Sequence, residues 1–235
     1  MSQPLTLYIG NKNYSSWSMR IGVLLKEKDI EFREIKVRFD SFSPQSEFKK
    51  TILAINPTGT VPVLVDNNLV IWDSLAIAEY LAEKFLERQL WPDGVAQRAR
   101  ARSLCAAMHG GFTALRNACP MNIEAKLPEV GALAWRDNAA LRADVARLET
   151  LLGESLQRNS GPFLFGEQFS IADAFYAPVV MRLQTYALPV SATLLAYMKH
   201  ITNLPSVQGW IVDALQEHDF RAFEEPYRLE HTVNP

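Results

Sequence analysis

Residues 5–37 read LTLYIGNKNYSSWSMRIGVLLKEKDIEFREIKV, and this stretch decides the fold of the first part of the chain. The residue pattern predicts strands over 5–9 and 32–37, whereas the segment 16–28 has the longer apolar period of a helix. Strand, helix and strand in this order predict a βαβ unit, with which an α/β domain begins.

A β-hairpin and a further helix are predicted to complete this domain. After a short helix that ends near Ile55, residues 63–65 and 69–72 predict two strands around the turn-forming residues 66–68. Apolar residues then recur at helical spacing over 75–85. We therefore expect the element order β-α-β-α-β-β-α.

The rest of the chain is predicted to be all-helical, because strand-like alternation disappears after a breaker-rich segment at 91–94. The motif SIAD at 170–173 predicts a capping box at a helix start. The polar tail 224–235 is expected to be loose. The predicted domains are 1–86, a linker at 87–95, and an all-helical domain at 96–235.

Composition and charge exclude several classes of protein. The 235 residues carry 24 basic and 26 acidic side chains, a net charge of −2, so the chain lacks the basic surplus of a nucleic-acid binder. It has no apolar run near the ~18 residues of a membrane span and no leader-like start. We therefore expect a cytoplasmic protein that binds neither nucleic acid nor membrane.

Metal and cysteine chemistry also lack their usual motifs. Cys105 and Cys119 are too far apart in sequence for a C-x-x-C pair or a zinc-ligand cluster, and we expect both to be buried. The four histidines show no H-E-x-x-H spacing, and the sequence contains no P-loop, G-x-G-x-x-G or G-x-S-x-G string. No metal is predicted.

Three short stretches of the first domain are candidate binding segments. Ser15 and Ser16 stand at a helix entrance, where unpaired N–H groups and the positive helix dipole stabilise an anion. Val61 precedes Pro62 just before a strand, and a cis bond there would let the Val61 backbone pair with an extended peptide.

The third stretch begins the last helix of this domain. Ser74 and the helix N-terminus suit a carboxylate, and Asp73 suits an amine. Together they match the headgroup of an α-amino acid. Each of the three stretches also has a purely structural interpretation, as a helix cap or an ordinary turn.

Taken in order, the three stretches resemble the glutathione transferase superfamily over almost the whole chain. The segment 15–20, SSWSMR, resembles the zeta-type S-S-C-x-W-R motif and more loosely the tau-type S-P-F-x-x-R motif. Asn56-Pro57 with Val61-Pro62 resembles the family's N-P…V-P element, and residues 73–77, DSLAI, resemble [EQD]-S-x-A-I. The implied fold is a thioredoxin-like α/β domain followed by an all-α domain.

The resemblance implies a catalytic role for Ser15, which donates a hydrogen bond to the sulfur of bound glutathione. Ser16 is a candidate second hydroxyl near that sulfur. A free thiol has a pKa near ~8.5, and a donor hydroxyl at a helix N-terminus favours the charged form. Serine is then a donor to a thiolate and not a nucleophile.

Further glutathione contacts follow from the same resemblance. The backbone of Val61, before a cis Pro62, would pair with the cysteinyl part. Ser74 would hold the γ-glutamyl carboxylate and Asp73 the γ-glutamyl amine. Lys50, or its neighbour Lys49, would contact the glycyl carboxylate. Glutathione is thus the expected cosubstrate.

The electrophile pocket is expected between the two domains. Its candidate residues are Trp17, His109, Arg116 and Asn122. The chain departs from the zeta pattern because Trp17 replaces a cysteine, and because Thr185 stands where zeta isomerases carry an arginine, with Arg182 one turn earlier.

Three functions are compatible with these residues. The first is a glutathione transferase that adds the thiolate to a small electrophile, as in detoxification. The second is a glutathione-dependent cis–trans isomerase of the maleylacetoacetate or maleylpyruvate type, which the missing arginine makes less well matched. The third is a non-catalytic scaffold with the same fold. The resemblance also implies a homodimer.

Overall fold

The computed structural model describes residues 4–41, 43–225 and 227. Within these residues, the chain forms four strands and ten α-helices. The first part contains β1 (Leu5–Ile9), α1 (Ser16–Glu27), β2 (Phe32–Lys36), α2 (Glu47–Leu53), β3 (Val63–Asp66), β4 (Leu69–Trp72) and α3 (Ser74–Lys84). The second part contains α4 (Val95–Gly110), α5 (Thr113–Ala118), α6 (Pro128–Asp137), α7 (Ala139–Asn159), α8 (Ile171–Thr185), α9 (Ala192–Thr202) and α10 (Pro205–Leu215).

The strands form one sheet in the order β2-β1-β3-β4. β1 is parallel to β2, as a βαβ unit requires, and antiparallel to β3, which forms the hairpin with β4. The predicted element order is confirmed, and the observed ends differ from the predicted ones by a residue or two. The thioredoxin-like α/β part followed by a helical part confirms the expected fold class.

Helix α1 lies at the centre of the molecule and packs against α3 from its own part and against α8 and α10 from the helical part. The close approach to α10 depends on Gly22, since a Cβ atom there would lie 2.4 Å from Cζ3 of the buried Trp210. Packing on both sides places the N-terminus of α1 where the two parts meet.

Helix α8 is the buried partner of α1, and the predicted capping box begins it. The Asp173 carboxylate accepts hydrogen bonds from the Ser170 backbone N–H at 2.9 Å and hydroxyl at 2.9 Å. It also accepts from the Leu164 backbone N–H at 3.0 Å and the Tyr197 hydroxyl at 3.2 Å. Its side chain therefore joins the start of α8 to a loop and to α9.

The last strand ends at Trp72, and α3 ends at Lys84. A short 3-10 turn at Leu86–Arg88 then precedes α4, which begins at Val95. This distribution is compatible with the boundaries 1–86, 87–95 and 96–235, which stay a prediction. Residue 226 and residues 228–235 of the expected loose tail lie outside the described residues. In the described ranges, no helix has the length and apolar character needed to cross a bilayer.

Candidate functional site

A cavity of about 540 Å³ lies between the two parts of the chain. One wall consists of the predicted glutathione contacts Ser15, Ser16, Val61, Pro62, Asp73 and Ser74. A second wall includes Trp17, Arg116, Pro120, Met121, Arg182 and Glu224. The structure thus brings together six predicted contact residues that are separated by up to 59 positions in sequence. Of the second wall, the sequence predicted only Trp17 and Arg116.

The N-termini of two helices reach this cavity. Ser15 is the N-cap of α1, and Asp73 is the N-cap of α3, where its Oδ1 accepts the Leu75 backbone N–H at 2.8 Å. Because both helices run away from the cavity, their dipoles place positive potential at two points of one wall. The geometry suits a ligand that carries two separate negative groups.

The Ser15 hydroxyl lies in a short hydrogen-bonded chain. It donates to the Ser18 hydroxyl at 2.7 Å, and the Ser18 oxygen also accepts the Gly10 backbone N–H at 3.2 Å. Ser15 is buried. These contacts hold its oxygen at the helix entrance, against the cavity.

Ser16 has a different partner, Arg182 of α8. The Nη2 atom of Arg182 donates to the Ser16 hydroxyl oxygen at 3.2 Å, and Nη1 donates to the Cys119 carbonyl at 2.6 Å and the Arg116 carbonyl at 3.3 Å. Burial lowers the pKa of the Arg182 guanidinium to about 10. This value is still well above 7, and the group is therefore charged at neutral pH. The sequence places this arginine on α8 without indicating its contact with Ser16.

Arg20 makes a similar contact on the other side of the site. Its guanidinium lies 4.1 Å from the centre of the Trp17 ring and 4.7 Å from that of Phe175, and Nη1 donates to the Ser74 hydroxyl at 3.3 Å. Burial lowers the pKa of Arg20 to about 9, which again leaves a cation at pH 7. Two buried guanidinium groups therefore donate to two serines of the cavity wall.

His109 takes a position behind the cavity wall. Its Nε2 atom lies 3.1 Å from Asp73 Oδ2, and its ring packs edge to face on Trp17 at 5.1 Å between centroids. Trp17 and Arg116 line the cavity, and their predicted role in an electrophile pocket stays a prediction. His109 therefore supports Asp73 and Trp17 without lining the cavity itself.

Asn122 is buried away from the cavity. Its Oδ1 atom accepts from Asn13 Nδ2 at 2.9 Å and from the Ala125 backbone N–H at 3.2 Å, and its carbonyl accepts the Thr185 hydroxyl at 2.7 Å. These contacts join the two parts of the chain. The sequence predicts Asn122 as a residue of the electrophile pocket, whereas in the structure Asn122 does not line the cavity.

The Val61-Pro62 peptide bond is cis, and both residues line the cavity. Of the two candidate lysines, Lys49 lines the same wall, where its ammonium group donates to the Gly59 carbonyl at 2.8 Å. Lys50 lies outside the cavity and pairs with Glu47 at 2.7 Å on the surface. Lys49 is therefore the better placed of the two.

The segment 217–225 contacts the first part of the chain, and its Glu224 lines the cavity. The expectation of a loose tail is therefore wrong for Glu224 and Glu225. The Tyr14 hydroxyl donates to the Glu225 carboxylate and accepts the Arg221 backbone N–H at 3.2 Å. Arg38 pairs with Asp219 through two bonds of 2.7 and 2.8 Å. Burial raises the pKa of the cavity-lining Glu224 to about 7, against the attraction of Arg182.

This raised pKa predicts a pH dependence of stability. Between the ordinary pKa of Glu224 and about 7, the folded chain holds a proton that the unfolded chain releases, so folding is favoured at low pH. We expect the wild type to lose about 3 kcal/mol of unfolding free energy relative to Glu224→Gln as the pH rises from 4.5 to 8. Urea unfolding of both proteins at several pH values measures it, and parallel profiles would contradict it.

Both cysteines are buried, and burial raises the pKa of Cys119 to about 12 and that of Cys105 further. Neither thiol lines the cavity. Among the residues that the structure describes, no group of three or more His, Cys, Asp or Glu side chains is placed to hold a metal ion.

Comparison with known proteins gives consistent matches. A family profile described as "Glutathione S-transferase, N-terminal domain" matches residues 14–84, and one described as "Glutathione S-transferase, C-terminal domain" matches residues 134–212. The chain is 35% identical over 210 residues to Glutathione S-transferase Z1 of Arabidopsis thaliana, covering 84% of this chain and 90% of that protein.

Two further relatives extend the comparison. Maleylacetoacetate isomerase of Rattus norvegicus is 27% identical over 185 residues, covering 79% of this chain and 81% of that one. The crystal structure of a glutathione transferase homolog from Burkholderia with bound glutathione superposes with a TM-score of 0.68 at 26% identity, covering 91% of this chain and 100% of that one.

Proposed function

Because this chain belongs to the glutathione S-transferase family, with zeta-class relatives, we propose that it conjugates glutathione, through its sulfur, to a small electrophile. One observation carries the proposal. Two helix N-termini, each with a serine, and the Asp73 carboxylate meet in one cavity of about 540 Å³. Glutathione presents a thiolate, a carboxylate and an amine that correspond to these three groups.

Ser15 is proposed to stabilise the thiolate. When glutathione binds, its S–H proton leaves to solvent, and the serine hydroxyl turns from Ser18 to donate to the sulfur. The α1 dipole adds to this stabilisation. Lowering the thiol pKa from ~8.5 by about two units corresponds to about 2.7 kcal/mol of preference for the thiolate and makes it the main form at pH 7.

The other end of glutathione is proposed to bind at α3. Ser74 and the N-terminus of α3 would take the γ-glutamyl carboxylate, and Asp73 would take the γ-glutamyl amine. The Val61 backbone would pair with the cysteinyl part, and Lys49 is better placed than Lys50 for the glycyl carboxylate. Arg20 supports this end, since it holds the Ser74 hydroxyl.

Asp73→Asn tests the amine contact. The asparagine side chain retains an oxygen for the Leu75 N–H but loses the negative charge, so we expect about tenfold weaker glutathione binding. The matched ligand is glutathione without its α-amino group, which the wild type and the variant should bind equally. Calorimetric titration measures both affinities, and an equal loss for the two ligands would contradict the assigned contact.

The transfer step needs a sulfur that faces the second wall of the cavity. The thiolate attacks an electrophilic carbon, the C–S bond forms, and the leaving group departs with its electron pair. At an activated alkene, the electron pair passes to the neighbouring carbon, which takes a proton from solvent. Trp17, Pro120 and Met121 give this wall an apolar part, which suits a small organic electrophile.

A second candidate function is isomerisation of a cis-configured dicarboxylate, favoured by Arg116 and Arg182 on the same wall. Thiolate addition makes the double bond single, rotation follows, and elimination restores glutathione and the trans alkene. Thr185 does not replace the arginine expected there, because its hydroxyl donates to the Asn122 carbonyl. Direct assay with maleylacetoacetate and maleylpyruvate tests this candidate, and absence of trans product would remove it.

A homodimer and a cytoplasmic location belong to the same proposal. The edge strand β4 exposes Leu69 and Trp72, with exposed fractions of 50% and 38%, and such apolar side chains are suited to burial against a second copy.

A further inference from the structure

Arg182 is a buried charged group of the cavity wall to which the proposed thiolate mechanism gives no role. It comes from α8, in the helical part, and its side chain crosses to the start of α1 in the glutathione-binding part. Only 6% of its surface is exposed, yet it lines the cavity. A buried guanidinium is costly unless its donors are used, so its partners indicate what it does.

The carbonyl contacts fix the direction in which Arg182 points. The Cys119 and Arg116 carbonyls both accept from Nη1, at 2.6 and 3.3 Å. Because the guanidinium is planar and rigid, holding Nη1 also orients Nη2, which donates to the Ser16 hydroxyl at 3.2 Å. Arg182 is therefore a fixed donor to one serine oxygen.

This contact determines what the Ser16 hydroxyl can do. A serine hydroxyl has one proton and two lone pairs, and the contact with Arg182 occupies a lone pair. The hydroxyl proton stays available for donation, and the cationic partner polarises the O–H bond and makes it a stronger donor. Ser15 differs, because its own proton is directed at Ser18.

The groups around Arg182 leave its positive charge largely uncompensated. Arg116 lies beside it, and the nearby acidic side chain is Glu224, whose raised pKa of about 7 leaves it partly neutral at physiological pH. Tyr186 and Cys119 also face it, and burial raises the pKa of both groups far enough to keep them uncharged. The contact with Ser16 thus brings positive potential to the entrance of α1.

We propose that Arg182 is a positioning residue for thiol activation, which holds and polarises Ser16 as a second hydroxyl donor to the sulfur of glutathione. This inference rests on the proposed function and deepens it. It makes the helical part of the chain a contributor to the chemistry of the thiol, through one hydrogen bond from α8. Ser16 touches the sulfur, and Arg182 acts through Ser16.

A thiolate titration tests the proposal. The ultraviolet absorbance of the thiolate gives the thiol pKa of glutathione bound to the wild type, Ser16→Ala, Arg182→Met and the double variant. We expect each single change to raise that pKa by about one unit. At pH values below the thiol pKa, this shift lowers the thiolate fraction about tenfold. The double variant should exceed Arg182→Met by less than about a third of a unit, because the two residues act through one contact.

Two further variants separate positioning from folding. Arg182→Met also removes the contacts with two carbonyls and could unfold the protein, whereas Ser16→Ala and Ser16→Thr leave those contacts in place. Threonine retains the hydroxyl and should keep the wild-type pKa. Thr185→Val is the matched control on α8: it removes a buried hydrogen bond to the Asn122 carbonyl, outside the cavity, and should lower thermal stability without moving the thiol pKa.

The outcomes distinguish this inference from the proposed function. A lowered thiol pKa in the wild type that is unchanged in Ser16→Ala overturns the inference and leaves the transferase proposal intact. Fully additive shifts in the double variant overturn the claim that Arg182 acts through Ser16. A bound thiol with the pKa of free glutathione in the wild type overturns the proposed function and the inference together.

Discussion

Ser15→Ala is expected to slow the alkylation of bound glutathione about 20-fold at pH 7, which is the loss of thiolate when the thiol pKa returns from about 6.5 to ~8.5, while the affinity for glutathione changes little. A hydrogen bond to a charged group contributes about 1.5–3 kcal/mol. Because Ser15 donates to the thiolate rather than to the neutral thiol, loss of this bond lowers the rate of alkylation more than the affinity for glutathione. Iodoacetamide is a suitable electrophile, because it reports thiolate reactivity whatever the natural substrate is. Stopped-flow measurement at saturating glutathione gives the rate directly.

Two controls make this measurement specific. Iodoacetamide could also react with protein thiols, but Cys105 and Cys119 are buried with raised pKa values, and a reaction without glutathione gives the background. Ser103→Ala removes a hydroxyl from the exposed side of α4, where it donates to the Ala99 carbonyl, and should leave the rate unchanged. An unaltered rate in Ser15→Ala would exclude Ser15 as the thiol-activating residue.

Asp173→Ala is expected to lower the free energy of unfolding by about 4 kcal/mol. The change leaves four buried donors without their acceptor, namely the Ser170 N–H and hydroxyl, the Leu164 N–H and the Tyr197 hydroxyl. Buried donors without a partner cost about 1–3 kcal/mol each, partly relieved by rearrangement. Urea unfolding followed by circular dichroism measures the change.

The matched variant is Asp173→Asn, which retains one oxygen acceptor and the side-chain volume. We expect it to lose less stability than the alanine variant. Since Asp173 lies at the start of α8, a folded Asp173→Ala protein should also show a weakened contact between Arg182 and Ser16. A loss below 1 kcal/mol in Asp173→Ala would show that these buried donors find other partners.

The local features of the fold were predictable from sequence. The strand-helix-strand pattern over 5–37, the hairpin after Pro62 and the capping box at Ser170 each depend on residues a few positions apart. Their physics is short-range: side-chain period, turn formers and helix caps. The six predicted glutathione contacts that line the cavity followed from the resemblance, which assigns loops to known places at the ends of these elements.

Contacts across the chain were not predictable in the same way. The bond between Arg182 and Ser16 joins residues 166 positions apart, and it exists because α8 packs along α1 with one particular rotation. Asn122 and His109 illustrate the converse. Each was assigned to the electrophile pocket by sequence position, whereas packing turns Asn122 toward Asn13 and His109 toward Asp73.

The segment 217–225 shows a third limit of sequence reasoning. The sequence predicts a loose tail from residue 224 and no long-range contacts for the residues before it, whereas acidic side chains of this segment find partners on the α/β part of the chain. Glu217 accepts the Lys12 backbone N–H at 2.8 Å, and Asp219 pairs with Arg38. Complementary charge on a distant surface decides such an outcome, and composition alone does not contain it.

Proton release on glutathione binding tests the central claim most directly. Calorimetric titrations at pH 7 in buffers of different ionisation enthalpy count the protons released per glutathione, and S-methylglutathione, which has no thiol, corrects for protein groups such as Glu224. Activation at Ser15 predicts about 0.7 of an extra proton for glutathione in the wild type, because a thiol with a pKa near 6.5 is about three-quarters ionised at pH 7, and clearly fewer in Ser15→Ala. Equal proton release for the two ligands in the wild type would show that the thiol stays protonated and would contradict the account.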